Sequence, residues 1–171
     1  MRLLGFALAL LLAQWTEITG RIEKLGSHEL RVDGMRISVT DTTMVIKGRT
    51  YHDLSPLVVG EQVRIKLDPH AEGRLVAQTI SARATVAGTI IQASGEMLII
   101  RPAPKRATVE PRSATTVHLN SNTVYAGTAR QLAVGTEVEV VGWDVGYGEI
   151  DAARIAIYNG DLPMQGRPFR D

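Results

Sequence analysis

Hydrophobic and charged residues alternate along a short stretch near the middle of the chain. Val63, Ile65 and Leu67 alternate with Arg64 and Lys66. A period of two places the apolar side chains on one face of a strand and the charged side chains on the other. The pattern therefore predicts an antiparallel strand with one face on a hydrophobic core and the other in water.

A second stretch repeats this pattern further along the chain. Val138 and Val140 alternate with Glu137 and Glu139, two carboxylates that we expect on the solvent face of their strand. The same reasoning as for the first stretch predicts a half-buried strand here. These residues are accordingly interpreted as core and scaffold rather than as a site.

Landmarks around the two stretches are related by one constant shift. Gly60 precedes the first stretch as Gly135 precedes the second, and Ala77 is matched by Ala152, so both pairs are 75 residues apart. A shift shared by separate landmarks indicates an internal repeat. Each glycine is expected to serve a turn that needs an unusual backbone angle.

The first unit of the repeat contains five predicted strands. Asp33-Gly34 between alternating residues predicts a two-residue hairpin. The expected strands are Ile18–Leu25, a strand with Leu30 and Val32, a strand with Met35, Ile37 and Val39, then Val63–Leu67 and Leu75–Ala82. A further apolar segment, Met44–Ile46, follows the Thr-rich residues 40–43.

The second unit follows the same plan, with strands at Met97–Ile100 and Thr116–Leu119. Residues 82–85, between the two units, contain no Gly, Pro or Ser-rich run. We therefore expect the last strand of the first unit to continue directly into the second, which favours a rigid tandem over two flexibly joined domains.

Short strands and the lack of a long helical period predict an all-β fold. The best match is two tandem small five-stranded barrels of the oligonucleotide/oligosaccharide-binding (OB) type. We expect the first barrel at residues 17–82 and the second at 84–158. The Gly- and Pro-containing residues 159–171 predict a flexible tail.

The two units differ most where the first has Asp33-Gly34. The second has residues 101–112 there, and their three prolines predict an extended loop because proline cannot donate to a sheet ladder. The basic residues of this loop are Arg101, Lys105, Arg106 and Arg112. They are candidate contacts for an acidic partner, and an ordinary solvated loop is the alternative.

Two aromatic residues are further candidates for contact with a partner. Trp143 and Tyr147 are expected on the turn between the fourth and fifth strands of the second unit. Exposed aromatic side chains on a loop can anchor an interface. The alternative for Trp143 is that it covers the open end of a small barrel.

The N-terminal residues resemble a secretory signal peptide. Arg2 is followed by the apolar run Leu3–Leu12, which is too short to span a bilayer, and Ala13 offers a cleavage point. We therefore expect residues 1–13 to be a signal segment and the mature protein to be periplasmic or secreted. A buried first strand or helix, or a misplaced start, is the alternative.

Overall composition excludes several classes of function. Nineteen basic residues against eighteen acidic ones leave almost no net charge, which is not typical of a strongly cationic nucleic-acid binder. The chain has no cysteine, so it has no disulfide, no thiolate nucleophile, no Cys-based metal site and no acyl anchor on an N-terminal cysteine.

Candidate metal ligands and catalytic groups are sparse. His52-Asp53 and the trio Asp68, His70 and Glu72 are the only clusters of metal-binding residue types, and the trio falls on a predicted turn. Because zinc needs three or four converging ligands, we expect solvated turns rather than a metal site. No nucleophile elbow, phosphate loop or dinucleotide fingerprint is present, so we expect neither enzyme activity nor a cofactor.

Glycine, threonine and core positions follow the same pattern in both units: Gly20, Thr42, Thr43, Gly60, Val63, Ile65, Ala77 and Ile80, then Gly88, Asn122, Thr123, Gly135, Val138, Val140, Ala152 and Ile155. This pattern resembles the bacterial envelope domains catalogued as domain of unknown function 5666. The resemblance covers nearly all of residues 17–158. It implies OB-like domains in tandem and an envelope location, and it implies no particular activity.

Two main hypotheses for function remain open. The first is a non-catalytic, exported module that binds an envelope protein, a peptide or a glycan through its loop ends. The second is a binder of single-stranded nucleic acid or another polyanion through the basic loop 101–112, whose affinity would fall steeply with salt. A metal-responsive envelope protein is a third, weaker alternative.

Overall fold

The computed structural model describes residues 17–71, 73–103, 114–126 and 132–158. Within these residues the chain is all-β, with twelve strands and no helix. The strands are β1 (Glu17–Leu25), β2 (Glu29–Val32), β3 (Met35–Ser38), β4 (Met44–Lys47), β5 (Arg49–Tyr51), β6 (Gln62–Leu67), β7 (Ala77–Ala93), β8 (Met97–Pro102), β9 (Thr115–His118), β10 (Val124–Ala126), β11 (Glu137–Gly146) and β12 (Glu149–Tyr158). The predicted fold class, all-β, is confirmed.

The second half of the chain closes into a five-stranded barrel. The C-terminal part of β7 pairs with β8, β8 with β9, β9 in parallel with β12, β12 with β11, and β11 returns to β7. The short strand β10 adds to β12 in parallel, through Val124 opposite Arg154.

The first half has the same neighbours in the same order. Strand β1 pairs with β2 and β6, β2 pairs with β3, and β6 pairs with the N-terminal part of β7. Strand β3 contacts the approach to β7 through a single parallel bridge between Ser38 and Val76, the residue before β7. Strand β4 adds to β7 in parallel, as β10 adds to β12 in the second half.

One strand belongs to both halves. Strand β7 runs without a break from Ala77 to Ala93, which is the continuity that the missing linker predicted. Its residues 77–82 pair with β6, and its residues 83–89 pair with β11. A hinge between the halves would therefore have to break a paired strand.

Each half has its own hydrophobic core. In the first half the buried side chains include Ile22, Val63 and Ile80, and in the second they include Ile90, Val138 and Ile155. The two cores meet along β7, where Ala82 belongs to one cluster and Ala84 to the other. The inward face of one strand thus serves both cores.

The glycines of the repeat make the same turn in both halves. Gly60 and Gly135 both have a φ of 92°, a value that side chains with a Cβ rarely adopt. The amide of Gly60 donates to the Ile22 carbonyl at 2.7 Å, and the amide of Gly135 donates to the Ile90 carbonyl at 2.8 Å. Each turn is thereby tied to the first strand of its own half.

A buried threonine also makes the same contacts in both halves. The Thr43 hydroxyl accepts a hydrogen bond from the Thr40 amide at 3.0 Å and donates to the Ala77 carbonyl at 2.7 Å. The Thr123 hydroxyl accepts from the Asn120 amide at 3.0 Å and donates to the Ala152 carbonyl at 2.9 Å. In each half this threonine links the turn that precedes it to the last strand of that half.

The Asp33-Gly34 hairpin is confirmed. Val32 lies opposite Met35, and the two turn residues have φ values of 45° and 80°. Positive φ at both central residues is the mark of a type I′ turn, for which Asp-Gly is a preferred sequence.

Candidate functional site

The basic loop of the second half is only partly within the described residues. Arg101 is exposed and lies on β8, opposite Thr89 of β7. The prediction that placed Arg101 in a loop is therefore wrong, because β8 continues to Pro102 and the Ala103 amide still donates to the Ala87 carbonyl at 2.8 Å. Lys105, Arg106 and Arg112 lie outside the described residues.

Trp143 does not lie on a turn, as the sequence had suggested. It is a half-buried residue within β11, opposite Arg83 of β7 on one side and Asp151 of β12 on the other. The expectation failed because β11 is paired on both sides as far as Trp143 and continues to Gly146. The guanidinium of Arg64, from the first half, lies 5.9 Å from the centre of the indole ring.

Tyr147 lies at the tip of the β11–β12 hairpin, as predicted. Gly146 is opposite Glu149, so Tyr147 and Gly148 form a two-residue turn with φ values of 56° and 79°. A positive φ is uncommon for a bulky aromatic residue. The side chain is 76% exposed, which is the highest exposure among the large hydrophobic residues that the structure describes.

Asp144 joins this hairpin to the first half. One carboxylate oxygen accepts a hydrogen bond from the Gly146 amide at 2.8 Å, and the other accepts from the Gly48 amide at 2.5 Å. Asp144 is only 4% exposed, and Gly48 lies in the β4–β5 turn. Because hydrogen bonds to an ionised acceptor are among the strong ones, this contact holds the two halves in one arrangement.

A second polar contact joins the halves beside Trp143. Arg64 Nη2 lies 2.5 Å from a carboxylate oxygen of Asp151, and the two side chains are 10% and 27% exposed. The Nε of Arg64 is buried without a hydrogen-bond partner among the described residues. Arg64 was expected in water and is instead buried, because the second half covers the outer face of β6.

We call Gly48, Arg64, Trp143, Asp144 and Asp151 the junction. Sequence reasoning identified Trp143 alone among them. The burial of Asp144 could have been predicted from the sequence. Every second residue from Val138 faces inward, and Asp144 falls on that inward face. The burial of Arg64 could not have been predicted in this way, because the outer face of β6 is covered only by residues of the second half.

The remaining candidate ligands serve local structure. Asp68 accepts a hydrogen bond from the His70 amide at 2.9 Å, within the turn that was predicted there, and Glu72 lies outside the described residues. No group of three or more His, Cys, Asp or Glu in the described part of the chain could hold a metal ion. His118 Nε2 lies 2.7 Å from Glu149 Oε2, an isolated pair between β9 and β12.

His52-Asp53, the other candidate cluster, forms a turn after β5. The Ser55 amide donates to the Asp53 carboxylate at 2.9 Å. Hydrogen bonds from Ser55, from its side chain first and its backbone second, hold the pKa of Asp53 below the ordinary value. Asp53 is thus a capping group of its own turn.

Comparison with known proteins assigns both halves to one family model. The model described as Domain of unknown function (DUF5666) matches residues 19–81 and again residues 87–156. A search of curated proteins finds no match to the chain. In the described residues, no helix has both the length and the apolar character needed to cross a membrane.

Proposed function

The chain belongs to the family described as domain of unknown function 5666, and on this premise we propose that it is a non-catalytic, exported interaction module. Its scaffold is a pair of OB-like barrels, residues 17–82 and 84–158. The strand order of each half, with a parallel contact between its third and fifth strands, supports this assignment.

Export rests on the N-terminal pattern of Arg2 and the apolar run Leu3–Leu12. We expect the mature chain to begin near Gln14. N-terminal sequencing of the protein from separated cell fractions tests this directly. Recovery of intact Met1 from the cytosol would contradict export and would leave the binding role to be tested separately.

The observation that carries the binding role is the display of Tyr147. A type I′ turn needs no aromatic residue, as the Asp33-Gly34 turn of the first half demonstrates. Tyr147 nevertheless occupies a position where a positive φ strains it, and it is exposed to water. An aromatic side chain on a braced hairpin loses little conformational freedom when a partner covers it.

The hairpin is braced by the junction. Asp144 fixes its base to Gly48 of the first half, and Arg64 holds Asp151 on its second strand. Both carboxylate oxygens of Asp144 accept hydrogen bonds from backbone amides, and the Asp151 carboxylate is paired with the Arg64 guanidinium. These carboxylates are therefore suited to hold a surface in place rather than to transfer protons.

Site-specific photo-crosslinking tests the role of Tyr147. A photoreactive phenylalanine analogue at position 147 should crosslink the partner in the envelope, and the same analogue at Val134 is the control. Val134 is also an exposed apolar residue beside a turn, at 67% exposure. The crosslinked protein is identified by mass spectrometry, purified and titrated with the wild type.

The titration should show that Tyr147→Asn weakens binding by about tenfold, which is typical of the loss of an aromatic anchor. Because asparagine adopts a positive φ more readily than tyrosine, the variant should melt at or slightly above the wild-type temperature. Equal crosslinking at positions 147 and 134, or unchanged affinity of Tyr147→Asn, would contradict the proposal.

A further inference from the structure

Three basic residues stand side by side across the first three strands of the first half. Lys24 of β1 is opposite Arg31 of β2, and Arg31 is opposite Arg36 of β3. All three are exposed, whereas their neighbours Leu30 and Ile37 are buried, so the row lies on the outer face of the sheet. We call these three residues the cationic row.

The cationic row is unfavourable for the sheet that carries it. Side chains directly opposite each other have Cβ atoms about 4.5–5.5 Å apart, and like charges at that spacing are destabilising. With strands about 4.8 Å apart, the row places three positive charges within about 10 Å. An arrangement that costs stability needs a reason other than the fold.

Neighbouring carboxylates neutralise the row only in part. Arg31 lies 3.1 Å from Glu23, and Arg36 Nε donates to Glu29 at 2.5 Å. The side chain of Lys24 makes no ion pair or hydrogen bond with any described residue. The side chains of both ion pairs are between 41% and 79% exposed, and pairs in such positions contribute little and exchange readily with solvent ions.

The surface along the row is an open, shallow groove. Besides the row itself, its lining consists of Glu29, the ion-pair partner of Arg36, together with Leu30 and the two glycines Gly26 and Gly34. A Cβ added at Gly34 would meet no atom within 4 Å, so there is free space beside the turn. A ligand can therefore approach the three basic side chains from solvent.

The second half shows which residues occupy the equivalent positions when the row is not cationic. Gly20 corresponds to Gly88, and the register shift that follows Ile22 in β1 recurs after Ile90 in β7. The equivalent row is then Gln92, Ile99 and Thr116, which are opposite one another in the same way. This row carries no charge, so the fold does not require charged residues at these positions.

We propose that the cationic row of the first half binds an anionic ligand that carries two or more phosphate or carboxylate groups about 5–10 Å apart, a spacing set by the distance between strands. Planar guanidinium groups bind phosphate and carboxylate in two-point contacts, and the Lys24 ammonium adds a third charge. The ligand takes over from Glu23 and Glu29 as counter-charge. This site is independent of Tyr147 and of the proposed export.

Calorimetric titration with three small anions tests the site. Tripolyphosphate presents three linked phosphates and citrate three carboxylates, whereas orthophosphate presents a single phosphate. Tripolyphosphate should bind at low salt, at least about tenfold more tightly than orthophosphate, and its affinity should fall steeply as salt is added. Citrate should also bind more tightly than orthophosphate, because the row is proposed to bind several linked anionic groups, whether phosphate or carboxylate.

The matched variant copies the row of the second half into the first. Lys24→Gln, Arg31→Ile and Arg36→Thr together should reduce tripolyphosphate affinity at least about tenfold, because all three charges that hold it are gone. A control removes three exposed charges elsewhere, through Lys66→Gln, Arg74→Gln and Arg101→Gln. The control should stay within about twofold of wild type if position matters more than net charge.

A single variant, Lys24→Gln, keeps the test usable if the triple variant does not fold. Lys24 has no partner to lose among the described residues, so the protein should fold normally and bind about threefold more weakly. The proposal is overturned if wild type shows no tripolyphosphate binding at low salt. It is also overturned if orthophosphate binds as tightly, if the row variants bind like wild type, or if the control loses as much affinity as the triple variant.

Discussion

Val63 in the first half and Val138 in the second are both buried, and each lies on a strand that follows a glycine with a φ of 92°. On the outer faces the correspondence ends. Arg64 of the first half is matched by Glu139 in the second, one position after each of these valines. The cationic row of the first half is matched by Gln92, Ile99 and Thr116.

This comparison separates the positions that the shared strand arrangement needs from those that it leaves free. Inward residues, turn glycines and the buried threonines are constrained by packing and backbone geometry, so both halves keep them. Outward residues have no such constraint, and there the halves have diverged. Functional differences are therefore expected on the outer faces and at the hairpin tips.

The largest effect is expected from a charge in either core. Val63→Asp and Val138→Asp each bury an unpaired carboxylate and should cost more than about 4 kcal/mol, which is most of the stability of a small domain. Because β7 and the junction link the halves, we expect either variant to unfold both. Circular dichroism melts with two resolved transitions, or one intact half, would show that the halves are independent.

A smaller loss of stability is expected at the junction, where the second half supplies the carboxylate and the first half supplies the Gly48 amide. Asp144→Ala leaves the Gly48 and Gly146 amides without their acceptor and should cost about 2–4 kcal/mol. Glu149→Ala is the control, because it removes a carboxylate whose pair with His118 is about 40% exposed on both sides. Urea unfolding should give less than about 1 kcal/mol for the control. Equal losses would show that Asp144 is not a structural link.

The equivalent glycines Gly20 and Gly88 sharpen the comparison further. A Cβ at Gly88 would lie 2.1 Å from the Arg101 carbonyl oxygen, whereas a Cβ at Gly20 would first meet side chains, Asp33 at 2.3 Å and Val32. Backbone cannot move aside as a side chain can. Gly88→Ala should cost about 1–3 kcal/mol and Gly20→Ala less. Denaturant unfolding measures both losses. A larger loss of stability for Gly20→Ala than for Gly88→Ala would contradict this, because it would mean that the backbone around Gly88 shifts to accept the Cβ.

The smallest of these effects should be the same in both halves. Thr43→Val and Thr123→Val each remove one hydroxyl that accepts from an amide and donates to a carbonyl, so each should cost about 1–2 kcal/mol. Thermal melts of the two variants measure this. If the two losses of stability differ by well above 1 kcal/mol, the equivalent threonine contacts do not stabilise the two halves equally.

The elements of the fold were predictable because they depend on local patterns. Alternation identified β1, β2, β3 and β6, and Asp33-Gly34 identified the hairpin, since both signals lie within a few residues. The end of β8 and the course of β11 were not predictable in this way. Both depend on pairing with β7, and no residue at the end of β8 or within β11 indicates that pairing by itself.

The candidate site was harder to predict for the same reason. Tyr147 was found because a glycine turn and an aromatic residue are adjacent in the sequence. The cationic row was not found, because Lys24, Arg31 and Arg36 come together only through the register of three strands. Burial of Arg64 by the second half likewise has no local signal.

Backbone amide NMR during a tripolyphosphate titration tests the central claim most directly, namely that two copies of one scaffold differ in the function of their outer faces. We expect the largest shifts at Lys24, Arg31 and Arg36 and none at the equivalent row of Gln92, Ile99 and Thr116. Equal shifts in both rows, or shifts centred on the basic loop at residues 101–112, would contradict this account.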